Sequence, residues 1–223
     1  MASIASGRMG PRVFPAVHRG SALLVLSGAL ILATGIAAAI ATPGASLPDS
    51  TWSDLLVALP PPSRPILQGA LVLAGILAIA GIVLLPTAFP RKTARDGGLL
   101  LLVLGAAGAI GFAVIPQGSV TLAGRSVHSA TAALWWGASA LGLIALAWAM
   151  LRDTRWGGMR LFTLLLGLIS LGAAIALYLH AYGPLGPGGL VWVVVVPCPI
   201  WFVVSGLRLF RFEVVRDAGG PAT

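Results

Sequence analysis

Apolar residues run along this chain in six long blocks with short polar breaks between them. The blocks are residues 21–42, 66–89, 98–116, 127–151, 161–182 and 190–210. A helix needs about 20 apolar residues to cross the hydrocarbon of a bilayer, and each block is near that length. No block holds an acidic residue, and the basic side chains within them are His128, His180 and Arg208, all near block ends. Lipid offers the backbone no hydrogen-bond partner, so a spanning segment must bond to itself as a helix or close into a barrel. A barrel strand alternates apolar and polar positions. Runs such as LLLLVLGAAGAIG do not. The pattern therefore predicts an all-α polytopic membrane protein, a bundle of six transmembrane helices with short loops.

Composition supports the same reading. Of 223 residues, 58% are hydrophobic and 9% charged, and the mean hydropathy is +0.98. A soluble domain carries about 25% charged residues, so lipid is the main solvent here. The formal net charge of +8 would suggest a nucleic-acid partner in a soluble protein, but its placement has a plainer cause. Twelve of the fourteen Lys and Arg residues fall before the first block, in the second and fourth loops, or at and beyond the end of the last block, where Arg208 lies. Only Arg64 and Arg125 fall on the opposite side. The positive-inside rule then predicts cytoplasmic N- and C-termini in the cell (plasma) membrane. Anionic lipid headgroups are the expected partners of the basic side; nucleic acid is not. A protein partner within the membrane is a further expectation. Residues 1–20 and 211–223 read as cytoplasmic tails, the first of them mobile, and residues 21–210 as the membrane domain.

The longest outer loop, residues 43–65, has a pattern of its own. Ser50 or Thr51 is placed to cap a short helix that runs to Leu59, where three prolines stop it. Trp52, Leu55, Leu56 and Leu59 share one face. An interfacial helix resting on the outer headgroups is the first reading. The sharper one is a lid over an outward-facing pocket, with Trp52, Ser53, Asp54 and Leu55 as its residues.

Candidate chemistry is sparse. No phosphate-binding loop, nucleophile elbow, zinc-protease helix or CxxC pair is present. The acids Asp49, Asp54, Asp96, Asp153, Glu213 and Asp217 fall in loops or tails. A proton-coupled transporter usually keeps an ionisable group at membrane depth, so a small transporter is disfavoured. The lone Cys198, between Pro197 and Pro199, excludes an intrachain disulfide and reads as an inert buried thiol. The prolines should break the last helix. Gly105, Gly108 and Gly111 give the third block a surface for close helix packing.

What remains is a polar level at the outer side. His128 opens the fourth block and His180 closes the fifth, so their depths match. His128 shares a helical stripe with Thr131 and Trp135. With Arg125 and Gln117 nearby, these residues form a candidate outer pocket for a lipid headgroup or small ligand. Tyr178 and Tyr182 read as belt aromatics outside it. Two histidines on neighbouring helices are also a haem or metal pair. Interfacial histidines are usually half wet and need no such cause, so no cofactor and no metal is assigned.

Three short elements resemble a known family. Ser53-Asp54-Leu55 in the first outer loop, Ile115-Pro116 at the end of the third block and His128-Ser129 at the start of the fourth are similar to motifs of the domain of unknown function 998. That family comprises uncharacterised bacterial and archaeal six-helix membrane proteins, and the likeness covers roughly residues 20–212. The chain departs from the pattern at Leu56, where the family usually has glycine. The resemblance implies six helices, a long first outer loop and a recurring place for His128. It implies no activity. The leading functional expectation is thus a non-enzymatic lipid- or partner-binding protein, or an accessory protein of the cell envelope. The alternative is a membrane enzyme or redox protein using His128 and His180.

Overall fold

The computed structural model describes residues 14–46, 48–60, 62–89, 92–118, 120–122, 125–151 and 156–218. Six of its helices are long and apolar enough to cross a membrane. In chain order the elements are α1 (Phe14–Ala41), the short α2 (Trp52–Ala58), α3 (Ser63–Val83), α4 (Lys92–Val114), a ribbon of β1 (Thr121–Leu122) and β2 (Arg125–Ser126), α5 (Val127–Ala149), α6 (Gly157–Tyr178), α7 (Gly186–Val195) and α8 (Pro197–Ala218). The last two make one span with a break. Pro197 and Pro199 have no N–H, so the carbonyls of Val193 and Val195 lose their helical donors and the helix parts at Val196.

Neighbours in sequence pack as neighbours in space, α1 on α3, α3 on α4, α4 on α5 and α5 on α6. The α7–α8 span packs on α6, and α8 returns to α1. The six spans thus close into a ring around a common core. The α4–α5 seam is the tightest. A Cβ on Gly108 would lie 2.5 Å from the backbone nitrogen of Trp135, and one on Gly111 would lie 2.7 Å from Thr131 Cγ2. Hydrogen bonds cross other seams. Ser27 Oγ donates to the Ala74 carbonyl at 2.8 Å, Ser170 Oγ to Val194 at 2.7 Å, and Trp201 Nε1 to Thr163 Oγ1 at 2.8 Å. In hydrocarbon such bonds and close backbone packing take over the work of the hydrophobic effect.

Several helices outrun their apolar blocks. α1 starts at Phe14, so residues 14–20 are helical and not part of a tail; residues 1–13 lie outside the described set. α4 starts at Lys92, which puts Asp96 in a helix and not in a loop, paired with Arg95 at 2.7 Å. α8 continues to Ala218 and carries Glu213 and Asp217 with it. The backbone keeps bonding as a helix after the side chains turn polar, because hydropathy marks the edge of the lipid and not the end of the helix. The β1–β2 ribbon, with Thr121 opposite Ser126 and Leu122 opposite Arg125, falls where the sequence predicts only a short loop.

The core has two main parts. One fills the end of the bundle near the chain termini, around Leu24, Leu102, Leu146 and Trp201. The other fills the opposite end, where α2 sits, around Ile31, Leu71, Phe112 and Trp135.

Candidate functional site

The second core cluster begins with α2. Thr51 caps this helix through a reciprocal pair. Its hydroxyl accepts from the Asp54 N–H at 3.3 Å, and an Asp54 carboxylate oxygen accepts from the Thr51 N–H at 3.0 Å. Such a box satisfies two donors that a helix start leaves open. Leu59, extended, ends the helix before Pro60. Trp52, Leu55, Leu56 and Leu59 are 2–5% exposed. The face that the first sequence reading lays on headgroups is therefore buried against the bundle. The segment before α2 is held as well, since the Gly188 N–H donates to the Pro48 carbonyl at 2.8 Å. Thr42 Oγ1 donates to the Ala38 carbonyl at 2.8 Å and lies 3.4 Å from that of Leu55.

Under α2 lies a run of aromatic rings. Trp52 meets Trp192 at 5.2 Å and Trp135 edge-on at 5.7 Å. Trp135 meets Phe112 at 5.4 Å, and Phe112 lies 4.5 Å from the ring of His128. These separations are those of favourable aromatic pairs.

His128 is fixed by a break elsewhere in the chain. Pro116 follows the end of α4, and the Ile115 carbonyl has no helical donor ahead of it. His128 Nδ1 lies 2.7 Å from that carbonyl oxygen. A carbonyl only accepts, so Nδ1 carries the proton and, in the neutral ring, Nε2 is a bare acceptor. His128 is 7% exposed and its Nε2 has no partner. The indole nitrogens of Trp52, Trp136 and Trp192 are likewise buried without partners. One acceptor and three donors are thus left open in this region, and each such group costs about 1–3 kcal/mol when buried unsatisfied.

The other residues picked out from the sequence divide. Trp135 is buried beside Trp52, and Thr131 Oγ1 donates to the His128 carbonyl at 2.8 Å. Leu55 is buried; Ser53 is half-buried with its hydroxyl 2.9 Å from that of Thr51; Asp54 is exposed at the cap. Gln117 is exposed in the turn after Pro116. Arg125 takes part in the ribbon through its backbone, and its side chain lies outside the described set. His180 does not join His128. It sits just past the end of α6 at φ 56, its N–H bonded to the Leu177 carbonyl and the next N–H to Ala176. This left-handed cap ends the helix and turns the chain away. His180 is exposed, and its Nδ1 is bonded to the Tyr182 hydroxyl. Tyr182 is therefore the partner of His180 and not merely a belt aromatic.

Phe112, Trp136 and Trp192 belong to the site and do not follow from the sequence reading. Trp192 was open to suspicion, as an indole inside an apolar span needs a partner for its N–H. Among the described residues no group of three or more His, Cys, Asp or Glu side chains is placed to hold a metal. Deeper in the bundle a cavity of about 10 Å³ lies among Ile31, Gly75, Trp135, Ser139 and Cys198. That is room for about one water.

Two of the three elements that carry the family resemblance meet physically, and the third builds α2 at the same end of the bundle. Asp54 caps α2, Leu55 is buried beneath it, and Ile115 and His128 are joined by a hydrogen bond. No curated protein and no solved structure matches the chain. Over residues 25–208 it matches the family described as "Protein of unknown function (DUF998)", and the chain belongs to that family.

Proposed function

We propose that this multi-pass membrane protein works by binding and not by catalysis, taking up an amphiphilic lipid at its α2 end in an accessory role in the cell envelope. The observation that carries the reading is the set of four buried, unpartnered ring nitrogens on His128, Trp52, Trp136 and Trp192. A core evolved only for packing would fill these positions with rings that need no partner. α2 is the lid of this site. It is a two-turn helix with its own cap, linked at one end through Pro43 and Gly44 and at the other through Pro60. The distribution of Lys and Arg puts the α2 end outside the plasma membrane and both termini in the cytoplasm.

Native mass spectrometry after gentle detergent extraction tests the reading. The wild type should carry bound lipid through the detergent, and Trp52→Ala should lose it. Bare protein from both would end the lipid reading. A co-purified membrane protein in place of lipid would replace it with a partner-binding role.

One observation favours a redox reading. A histidine whose Nδ1–H is held by a carbonyl and whose Nε2 is open is oriented as metal-bound histidines are. Metal analysis and a visible spectrum of the purified protein decide it. A Soret band, or a stoichiometric metal lost in His128→Ala, would establish it.

A further inference from the structure

The unpartnered atoms at the α2 end also specify the kind of headgroup that suits them. We propose that the ligand is a lipid with an uncharged, hydroxyl-bearing headgroup, such as glycerol or a hexose, whose O–H donates to His128 Nε2 and whose oxygens accept from the indole N–H groups. This rests on the binding reading above and goes further by naming the chemistry.

The site offers three indole donors and, with the His128 ring neutral, one bare acceptor at Nε2. A fully ionised phosphate or carboxylate brings acceptors only. Either would suit the indoles but would set its lone pairs against Nε2. An ammonium group brings donors only, which serves His128 and leaves Trp52 and Trp192 open. A quaternary ammonium brings neither, although an aromatic surface attracts it. A hydroxyl is donor and acceptor at once, and a headgroup with several hydroxyls reaches rings on more than one helix. The Trp52, Trp135 and Phe112 faces would stack on the apolar side of a sugar or glycerol. Among the described residues no Lys, Arg, Asp or Glu side chain is buried, so a charged headgroup entering this end would find no buried counter-ion among them, at a large desolvation cost.

The test uses the full-length protein in bilayer discs that contain, in turn, monoglucosyl diacylglycerol, phosphatidic acid or phosphatidylcholine. Retention is read by native mass spectrometry. His128→Asn is the informative variant. The asparagine amide nitrogen is as many bonds from Cβ as Nδ1, so it keeps the donor for the Ile115 carbonyl while removing the Nε2 acceptor and the ring that packs on Phe112. The wild type should retain the glucosyl lipid over the other two, and His128→Asn should weaken that retention about tenfold in protein that still unfolds cooperatively. Trp52→Phe, which keeps an aromatic ring but loses the N–H, should give a smaller loss in the same direction; it serves if His128→Asn does not fold. Equal or better retention of phosphatidic acid or phosphatidylcholine overturns the headgroup assignment. So does unchanged retention in both variants, which would mean that water satisfies these atoms. Failure of the wild type to retain any of the three lipids would overturn the binding reading along with it.

Discussion

Gly35→Ala should unseat α2 from within the bundle. A Cβ on Gly35 would fall 2.3 Å from Cζ2 and 2.7 Å from Cη2 of Trp52, and 2.9 Å from Cη2 of Trp192. Real Cβ contacts do not come that close, so a ring must move. Trp52 is the ring that can, because Trp192 is held within a membrane span and Trp52 rides on α2. Overpacking of this kind costs about 1–3 kcal/mol. Alanine also gains about 0.5–1 kcal/mol over glycine in a helix, which would mask part of the loss. Gly172→Ala removes that ambiguity, since nothing lies within 4 Å of a Cβ there. The difference between the two variants isolates the clash. At a central value of about 2 kcal/mol, and about 2–4 °C per kcal/mol for a chain of this size, Gly35→Ala should melt about 4–8 °C below Gly172→Ala. A second assay follows α2. With Cys198→Ala as background, a cysteine substituted for the buried Leu59 should react slowly with maleimide, and faster when Gly35→Ala is added. Equal melting temperatures together with equal labelling rates would refute the seating of Trp52 on α1.

Other outcomes follow from single contacts. Thr51→Ala removes the α2 cap, worth about 1 kcal/mol, so hydrogen exchange over residues 52–59 should quicken about fivefold while α3 is unaffected. Thr163→Val leaves the buried Trp201 N–H without its 2.8 Å acceptor and should cost about 1–3 kcal/mol. The double variant with Trp201→Phe should recover part of that loss, because both polar partners are then gone, and an additive result would show that the bond contributes nothing. For topology, Asp49→Cys should react with an impermeant maleimide on intact cells and Gly157→Cys only after permeabilisation. The opposite pattern would reverse the orientation inferred from Lys and Arg.

Features governed by local chemistry are readable from this chain. The six spans follow from hydropathy, and α2 follows from Thr51, Asp54 and the spacing of Trp52, Leu55, Leu56 and Leu59, all within nine residues. Orientation across the bundle is not local. His128 and His180 lie at matched distances from their helix ends, yet one is buried and the other exposed. His128 lies inside α5 against Ile115 and Phe112, whereas His180 lies past the end of α6, where a φ of 56 turns the chain. The partner of His128 lies 13 residues upstream, on a carbonyl just past the end of α4. Ile115-Pro116 and His128-Ser129 are visible as separate motifs in the sequence, and only the fold makes them one feature. Trp192 is further removed, since it reaches Trp52 across 140 residues of chain and its position depends on how the ring of helices closes.

That closure has a consequence for how the protein is made. The first span packs along the last, where a Cβ on Gly28 would lie 2.5 Å from the Pro199 carbonyl oxygen, and the α2 segment is pinned to the start of α7 through Pro48 and Gly188. Chains fold from the N-terminus as they emerge from the ribosome. Five spans must therefore wait in the bilayer with one flank of α1 uncovered until the sixth is inserted, and α2 has no complete seat before then. A chain stalled after the fifth helix would present that flank to whatever insertase or chaperone attends it. The α2 segment, second in sequence, is among the last parts to be finished.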